Sequence, residues 1–166
     1  MSVKDPIKIN FTNFSVAEFV SKKRFEARPD RASRGVSWQL VLACQNIREF
    51  FGKPITINNW FWGGDRQDSG LRDPDSLVGM KEGDHFRGFA ADLLISGIDS
   101  LEARLAIAQN FEKFGVSIIE DGMSGWNHIS VAWIEEFRGK LAIIDMKSNI
   151  ITSYTSEQLK SWKPTP

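Results

Sequence analysis

Gly83-Asp84-His85-Phe86-Arg87-Gly88-Phe89-Ala90-Ala91-Asp92 is the most informative segment of the sequence, because polar groups here lead into an apolar run. His85 precedes a glycine and the start of that run, which is predicted to be a buried strand. Asp92 lies inside the run, just before Leu93-Leu94-Ile95. A carboxylate near a hydrophobic core is costly unless it is paired or bound to a metal. The segment therefore predicts a cationic or metal partner for Asp92.

The histidines are candidate partners. His85 and His128 are the two histidines of the sequence, and His128 begins a second predicted strand, His128-Ile129-Ser130-Val131. With Asp92 they supply three protein ligands, which leaves a fourth position for water, the composition of a catalytic zinc site. The ordinary alternatives stay open on spacing alone. A histidine is more often a plain surface or core residue, and a buried aspartate is more often a cap or an ion-pair partner.

Hydrophobic periodicity predicts two long helices. The first covers 36–51, where apolar residues recur at three- and four-residue steps until Gly52 ends the pattern. The second covers 101–114 and is followed by Gly115. Its expected buried positions are Leu101, Leu105, Ala108, Phe111 and Phe114.

The other predicted elements are short. They are helices over 15–22 and 156–162 and strands over 55–58, 89–95, 116–119, 128–133, 141–145 and 150–154. Helices and strands do not strictly alternate, so we expect an α+β fold with a mostly antiparallel sheet flanked by helices. The strands over 116–119 and 128–133 should pair, because a turn of about eight residues joins them.

Three segments lack a clear period. Residues 1–14 are interpreted as an edge strand or a loosely packed arm, and the Arg-rich stretch 24–34 as a solvated loop. The stretch 59–85 contains several glycines, aspartates and tryptophans. A loop this long is usually functional or disordered. Its glycines, aspartates and Trp60/Trp62 pair favour an ordered, functional wall of the site.

Composition narrows the class of protein. The 166 residues support one domain, 1–166, with one core. Lys plus Arg is 21 and Asp plus Glu is 21, which argues against nucleic acid as the main partner. A single cysteine, Cys44, excludes an internal disulfide and a multi-cysteine zinc site. Without a signal peptide or a span-length apolar run, we expect a protein made in the cytoplasm, with no membrane span.

The pattern His85-x-x-Gly88-x-Ala90-x-Asp92 resembles the Ser-x-His-x-x-Gly-x-Ala-x-Asp motif of the zinc D-alanyl-D-alanine carboxypeptidase and L-alanyl-D-glutamate endopeptidase family. The later element Trp126-Asn127-His128 is similar to the Trp-x-His element of the same family. The resemblance implies the hedgehog/DD-peptidase fold, with a motif-bearing core over about 36–133. It also implies that His85, Asp92 and His128 bind Zn²⁺.

The same resemblance implies a function. Members of this family hydrolyse a peptide bond in the stem peptide of peptidoglycan, so peptidoglycan is the expected partner. With no signal peptide in view, a phage lysis or tail-associated enzyme that is released or delivered to the cell wall fits better than an exported housekeeping one. The competing interpretation is a binding or phage structural module that keeps the fold and the metal but has lost catalysis.

Departures from the family pattern bear on catalysis. The serine two residues before the metal-binding histidine is Gly83 here, and the carboxylate three residues before the last histidine is Gly125. Glu120 and Asp121, just upstream, are the candidate replacements for the general base, with Asp121 preferred because it is closer to His128. The alternative is that both are ordinary turn residues.

Candidate substrate-binding residues complete the prediction. Arg72, in Ser69-Gly70-Leu71-Arg72-Asp73-Pro74, resembles the arginine of a Ser-Gly-Tyr-Arg-Ser-Pro stretch in the family. The resemblance implies that it holds a substrate carboxylate or polarises the scissile carbonyl. Arg66 is the second choice, and Trp126 is expected to line the cleft. Either arginine could instead pair with a neighbouring aspartate at the surface.

Overall fold

A six-stranded sheet forms the centre of the molecule in a computed structural model, which describes residues 13–79, 82–123 and 125–166. Its strands are β1 (Ile55–Thr56), β2 (Ala90–Ile95), β3 (Ile118–Asp121), β4 (Asn127–Ser130), β5 (Leu141–Asp145) and β6 (Ile150–Tyr154). Their order across the sheet is β1-β2-β4-β3-β5-β6. Four of the five pairings are antiparallel and β3–β5 is parallel. The predicted mixed fold with a mostly antiparallel sheet flanked by helices is confirmed.

All predicted strands form, but the bounds of four of them differ from the prediction. β5 and β6 have the predicted bounds, and the predicted pairing of the third and fourth strands is confirmed. β3 begins two residues later than expected and continues to Asp121. The difference matters because side chains alternate along a strand, so the two extra residues point to opposite faces.

The helices are α1 (Val16–Phe19), α2 (Lys22–Ala27), α3 (Trp38–Phe51), α4 (Asp84–Arg87), α5 (Ser100–Gln109), α6 (Phe111–Phe114) and α7 (Ser156–Leu159). Short 3-10 turns lie at Pro29–Arg31, Trp60–Trp62 and Glu135–Phe137. The Arg-rich stretch predicted as a loop is thus partly helical, since the Ser21 hydroxyl caps α2 by accepting from the Arg24 amide. The predicted helix 101–114 is divided at Asn110. The arm expected over 1–14 lies almost wholly outside the described residues.

The predicted buried stripe of α5 and α6 is only partly correct. Ala108, Phe111 and Phe114 are buried as predicted, but Leu101 and Leu105 are only half-buried. Toward the start of α5 the core position is taken by Arg104, which is almost fully buried. Its partner, described below, is an aspartate on β3.

The main core lies between the helices and one face of the sheet. That core face carries Ala91, Leu93, Ile119 and Ile129, which join residues of α3 and α5 in one hydrophobic cluster. The alternate residues Asp92, His128 and Ser130 point to the other side, which we call the polar face. Among the described residues, no helix combines the length and hydropathy that crossing a bilayer requires.

The long segment 59–85 lies beside the polar face. It contains the Trp60–Trp62 turn and the start of α4, and Asp92 donates its backbone N–H to the Ser69 carbonyl (2.8 Å). The Leu71 amide donates to the Phe19 carbonyl (2.8 Å), which ties the segment to α1. The described part of the segment is therefore held in place by backbone hydrogen bonds at both the sheet and the N-terminal helices.

Candidate metal centre

Three polar side chains form a row across three neighbouring strands. Asp92 on β2 is directly opposite His128 on β4. β4 pairs with β3 through Ile119 and Ile129, and the same antiparallel register continued by one residue sets Glu120 opposite His128. Residues opposite one another in a sheet project from the same face. Asp92, His128 and Glu120 therefore share the polar face.

His85 reaches the same point from α4. Its Nε2 lies 3.2 Å from His128 Nδ1 and 3.3 Å from Asp92 Oδ1, and His128 Nδ1 lies 2.9 Å from Asp92 Oδ1. One ligand atom from each of the three residues lies within 4.8 Å of the others. Donors bound to a tetrahedral zinc at ordinary bond lengths are about 3.3 Å apart. The three residues could therefore hold a metal ion, and their donor set is compatible with zinc.

The orientation of the His85 ring is set by a backbone carbonyl. His85 Nδ1 lies 2.9 Å from the Gly70 oxygen, which can only accept, so Nδ1 carries the hydrogen. In the neutral ring Nε2 then has a free lone pair directed at Asp92 and His128. Metal-binding histidines are usually held by a hydrogen bond of this kind, which the ring nitrogen that does not bind the metal donates.

Gly88, the glycine of the motif, is required by close packing. It has a left-handed φ of +74°, and a Cβ at this position would lie 1.7 Å from the Gly35 carbonyl oxygen. As the C-terminal cap of α4, Gly88 lets the chain turn from the helix into β2. Asp92 follows it by four positions and His85 precedes it by three, so this turn sets where both side chains are placed.

The electrostatics favour an ionised carboxylate at the centre. Burial acts to raise the pKa of Asp92, but hydrogen bonds from His128 and His85 outweigh it and hold the pKa well below its usual range. Burial likewise acts to lower the pKa of His128, while the hydrogen bond to Asp92 and the charge of Glu120 raise it on balance. The carboxylate therefore stays charged, and a cation beside it is favoured.

Glu120 and Asp121 have different environments. Glu120 Oε1 is 3.9 Å from His128 Nε2, on the polar face. Asp121 points to the core face, where its Oδ1 accepts from Arg104 Nη1 (3.1 Å) and from the Thr165 amide (3.0 Å). The preference for Asp121 as the acidic group beside the metal is therefore wrong, because β3 extends through both residues and alternation turns Asp121 away. Glu120 is the carboxylate on the side of the ligands.

The two candidate arginines are both held near Asp92. Arg72 Nη2 lies 3.4 Å from Asp92 Oδ2, and its Nε donates to the Asp68 carbonyl (2.7 Å). Arg66 donates from Nε to the Ile57 carbonyl (2.7 Å) and from Nη2 to the Asp92 carbonyl (3.1 Å). Arg72 thus contacts the candidate metal site directly. Arg66 supports the backbone of β2 beside it, and burial lowers its pKa.

An open cleft of about 450 Å³ lies next to these arginines. Its walls are mainly polar and include Asp65, Asp68 and both arginines, and it extends to Asp92 and Leu94. Trp126 immediately precedes β4, two residues before His128, and is half-buried. Its carbonyl accepts from Arg104, and its role toward substrate stays a prediction.

Several supporting residues were missed by sequence reasoning. Ser130, two residues after His128, donates to Asp84 Oδ2 (2.6 Å) and so ties β4 to the first turn of α4. Gly70 holds the His85 ring, and Arg104 connects α5 to the turn before His128. The Ser69-Gly70 stretch was noted only for its resemblance to the family. Arg104 was not among the expected buried positions of its helix, and no sequence pattern marked it.

Comparison with known proteins identified no relative of this chain. The chain matches no family model, and it matches neither a curated protein nor a solved structure. Functional inference therefore depends on the geometry of the site and on the two motif elements that carry the resemblance.

Proposed function

We propose that the protein is a zinc-dependent peptidase that hydrolyses a peptide bond in the stem peptide of peptidoglycan. The observation that carries the proposal is that His85, Asp92 and His128 each place one ligand atom within 4.8 Å of the others on the polar face. These are the same three residues on which the motif resemblance falls. The proposed fold family is the hedgehog/DD-peptidase type.

His85, Asp92 and His128 would hold the zinc ion. When bound, zinc supplies a Lewis acid that polarises a carbonyl group and activates a water molecule. The ligands are set by their partners, because Gly70 orients His85 and the β2–β4 pairing sets Asp92 against His128. Side chains fixed in this way keep the donor atoms together before the metal arrives.

Glu120 is the proposed proton acceptor. It is the carboxylate that shares the polar face with His128, and its Oε1 lies 3.9 Å from His128 Nε2. Its side chain is about one-fifth exposed, so a proton taken from water could pass on to the leaving amine or to solvent. The same contact also suits Glu120 to orient the His128 ring, as carboxylates do behind metal-binding histidines.

Arg72 is the proposed electrophilic group. Its guanidinium lies beside Asp92 Oδ2 and forms part of the cleft wall. A planar guanidinium there would stabilise negative charge on a scissile carbonyl oxygen or bind a terminal carboxylate of the substrate. Arg66 has two of its nitrogens engaged by backbone carbonyls, so we propose a supporting role for it in place of direct substrate binding.

The alternative is a zinc-binding module without activity. Gly125, at the position of the usual carboxylate of the family, has a left-handed φ of +89°, which an aspartate or glutamate would adopt only with strain. The turn before β4 is therefore built without that carboxylate. In this alternative the cleft binds cell-wall peptide, or the domain serves as a phage structural component.

One experiment separates the two functions. Zinc content is measured on the purified protein, and release of soluble fragments from purified peptidoglycan is followed with and without a chelator. Release that is lost on chelation and restored by zinc supports the peptidase. One zinc per chain with no release supports the binding module, and no zinc overturns both.

A further inference from the structure

A second, cationic pocket lies apart from the metal ligands, on the surface formed by α2 and the turn that follows it. Its volume is about 380 Å³. Its cationic side chains are Lys23, Arg24, Arg28, Arg31 and Arg34, and its two acidic ones are Asp73 and Asp75. We call it the arginine pocket. The net charge of the whole chain is zero, so this concentration of positive charge is local.

The two aspartates are already paired. Asp73 accepts from Arg24 Nε (2.9 Å) and from the Ser21 hydroxyl, and Asp75 accepts from Lys23. These contacts neutralise Arg24 and Lys23.

The remaining arginines have little or no acidic compensation. Among the residues that the structure describes, Arg28 and Arg34 have no carboxylate partner. Of the described carboxylates, Arg31 pairs with that of its neighbour Asp30 (Nε–Oδ2 3.3 Å), and both side chains are at least half exposed. An exposed pair of this kind contributes little free energy. Arg28 and Arg34 thus border one concave site without a carboxylate partner among the described residues, and Arg31 beside them has only an exposed pair with Asp30.

We infer that the arginine pocket binds a phosphate group. Guanidinium forks match the oxygen geometry of phosphate, and several of them together favour a multiply charged anion over a single carboxylate. The buried Ala32 and the small side chain of Ala27 leave room between the arginines. The charges line one pocket and not an extended stripe, which favours a single phosphate group over a nucleic acid backbone.

Calorimetric titration of the 166-residue protein with inorganic phosphate at low ionic strength tests this inference. The test variant carries both Arg28→Ala and Arg34→Ala. The control is Arg138→Ala, an exposed arginine outside the pocket that removes the same kind of charge. A second variant, Arg28→Lys with Arg34→Lys, keeps the charge and removes the forks. All titrations are run on zinc-free protein, so phosphate bound by zinc does not contribute.

Saturable binding to the wild type, weakened about tenfold or more in the double alanine variant, supports the pocket. The lysine variant should bind with intermediate affinity, and Arg138→Ala should bind like the wild type. No saturable binding, or equal binding by the wild type and the double alanine variant, overturns the inference.

The source of the phosphate is read from a parallel titration with a short glycerol-phosphate oligomer. Tighter binding of the oligomer than of inorganic phosphate indicates a polymer-borne group, whereas binding of inorganic phosphate alone indicates a small phosphorylated ligand. The inference does not depend on the peptidase proposal, because the pocket that contains Arg28 and Arg34 is not lined by His85, Asp92 or His128.

Discussion

Asp92 and His128 face each other across β2 and β4, with Asp92 Oδ1 2.9 Å from His128 Nδ1. Their backbones are register partners, so the sheet itself holds the two side chains together. Burial acts to raise the pKa of Asp92, but hydrogen bonds from His128 and His85 hold it below its usual range, so the buried carboxylate is compensated by these partners. In the proposed enzyme, these two residues and His85 would hold the zinc ion.

Removing one ligand should abolish zinc binding and leave the fold intact. His85→Ala deletes a candidate ligand atom that α4 places on the polar face, while the core between α3, α5 and the sheet is unchanged. We expect zinc to raise the melting temperature of the wild type and to have no effect on the variant. We also expect the chelated wild type to keep a cooperative thermal transition. Complete unfolding on chelation would show that the site is structural and not catalytic.

Glu120→Gln should remove most of the activity at full zinc occupancy. The substitution keeps the size of the side chain and removes its ability to accept a proton, so we expect a loss of about 10²–10⁴-fold in kcat. Peptidoglycan release and zinc content are measured on the same preparation. Unchanged activity with full zinc would mean that Glu120 is not the base.

Asp121→Asn should act on stability instead of chemistry. Asp121 and Arg104 are both buried, and loss of the charge leaves Arg104 without its ionic partner on the core face. Breaking a buried ion pair typically costs about 3–5 kcal/mol, and the amide should retain part of that. Denaturant unfolding should show the loss, while the residual folded enzyme keeps its kcat. A selective fall in kcat with normal stability would restore Asp121 as a catalytic candidate.

The sequence drew attention to the candidate metal ligands because His85 and Asp92 belong to a strong local signal that resembles a known motif. The His85-to-Asp92 segment is a short helix, a left-handed glycine and a buried strand in succession, and all three are visible in the residue types. The bounds of β5 and β6 were predictable for the same reason, since their apolar runs are bordered by turn residues.

Contacts between residues far apart in the sequence determine two features that local sequence patterns could not predict. The parallel pairing of β3 with β5 extends β3 to Asp121, and that extension decides which of two adjacent acids faces His128. Arg104 interrupts the apolar stripe of α5, yet it is buried because Asp121 and three backbone carbonyls receive its donors. Neither contact is encoded in residues close along the chain.

Gly88→Ala should be far more damaging than the same change at Gly139. Both glycines have left-handed φ angles, +74° and +67°, so both substitutions carry the conformational cost of about 1–2 kcal/mol. Only at Gly88 does the new Cβ collide with a backbone oxygen, that of Gly35, whereas no described atom lies within 4 Å at Gly139. Thermal melts should therefore show a much larger loss for Gly88→Ala. Equal losses would mean that the Gly35 contact relaxes easily.

The most direct test of the peptidase proposal is hydrolysis in ¹⁸O-labelled water. Zinc-loaded wild-type protein and Asp92→Asn are each incubated with purified peptidoglycan, and the products are examined by mass spectrometry. We predict stem-peptide fragments with one ¹⁸O atom in a new terminal carboxylate, formed by the wild type and absent with Asp92→Asn. Intact stem peptides after incubation with wild-type protein that holds one zinc per chain would contradict the proposal.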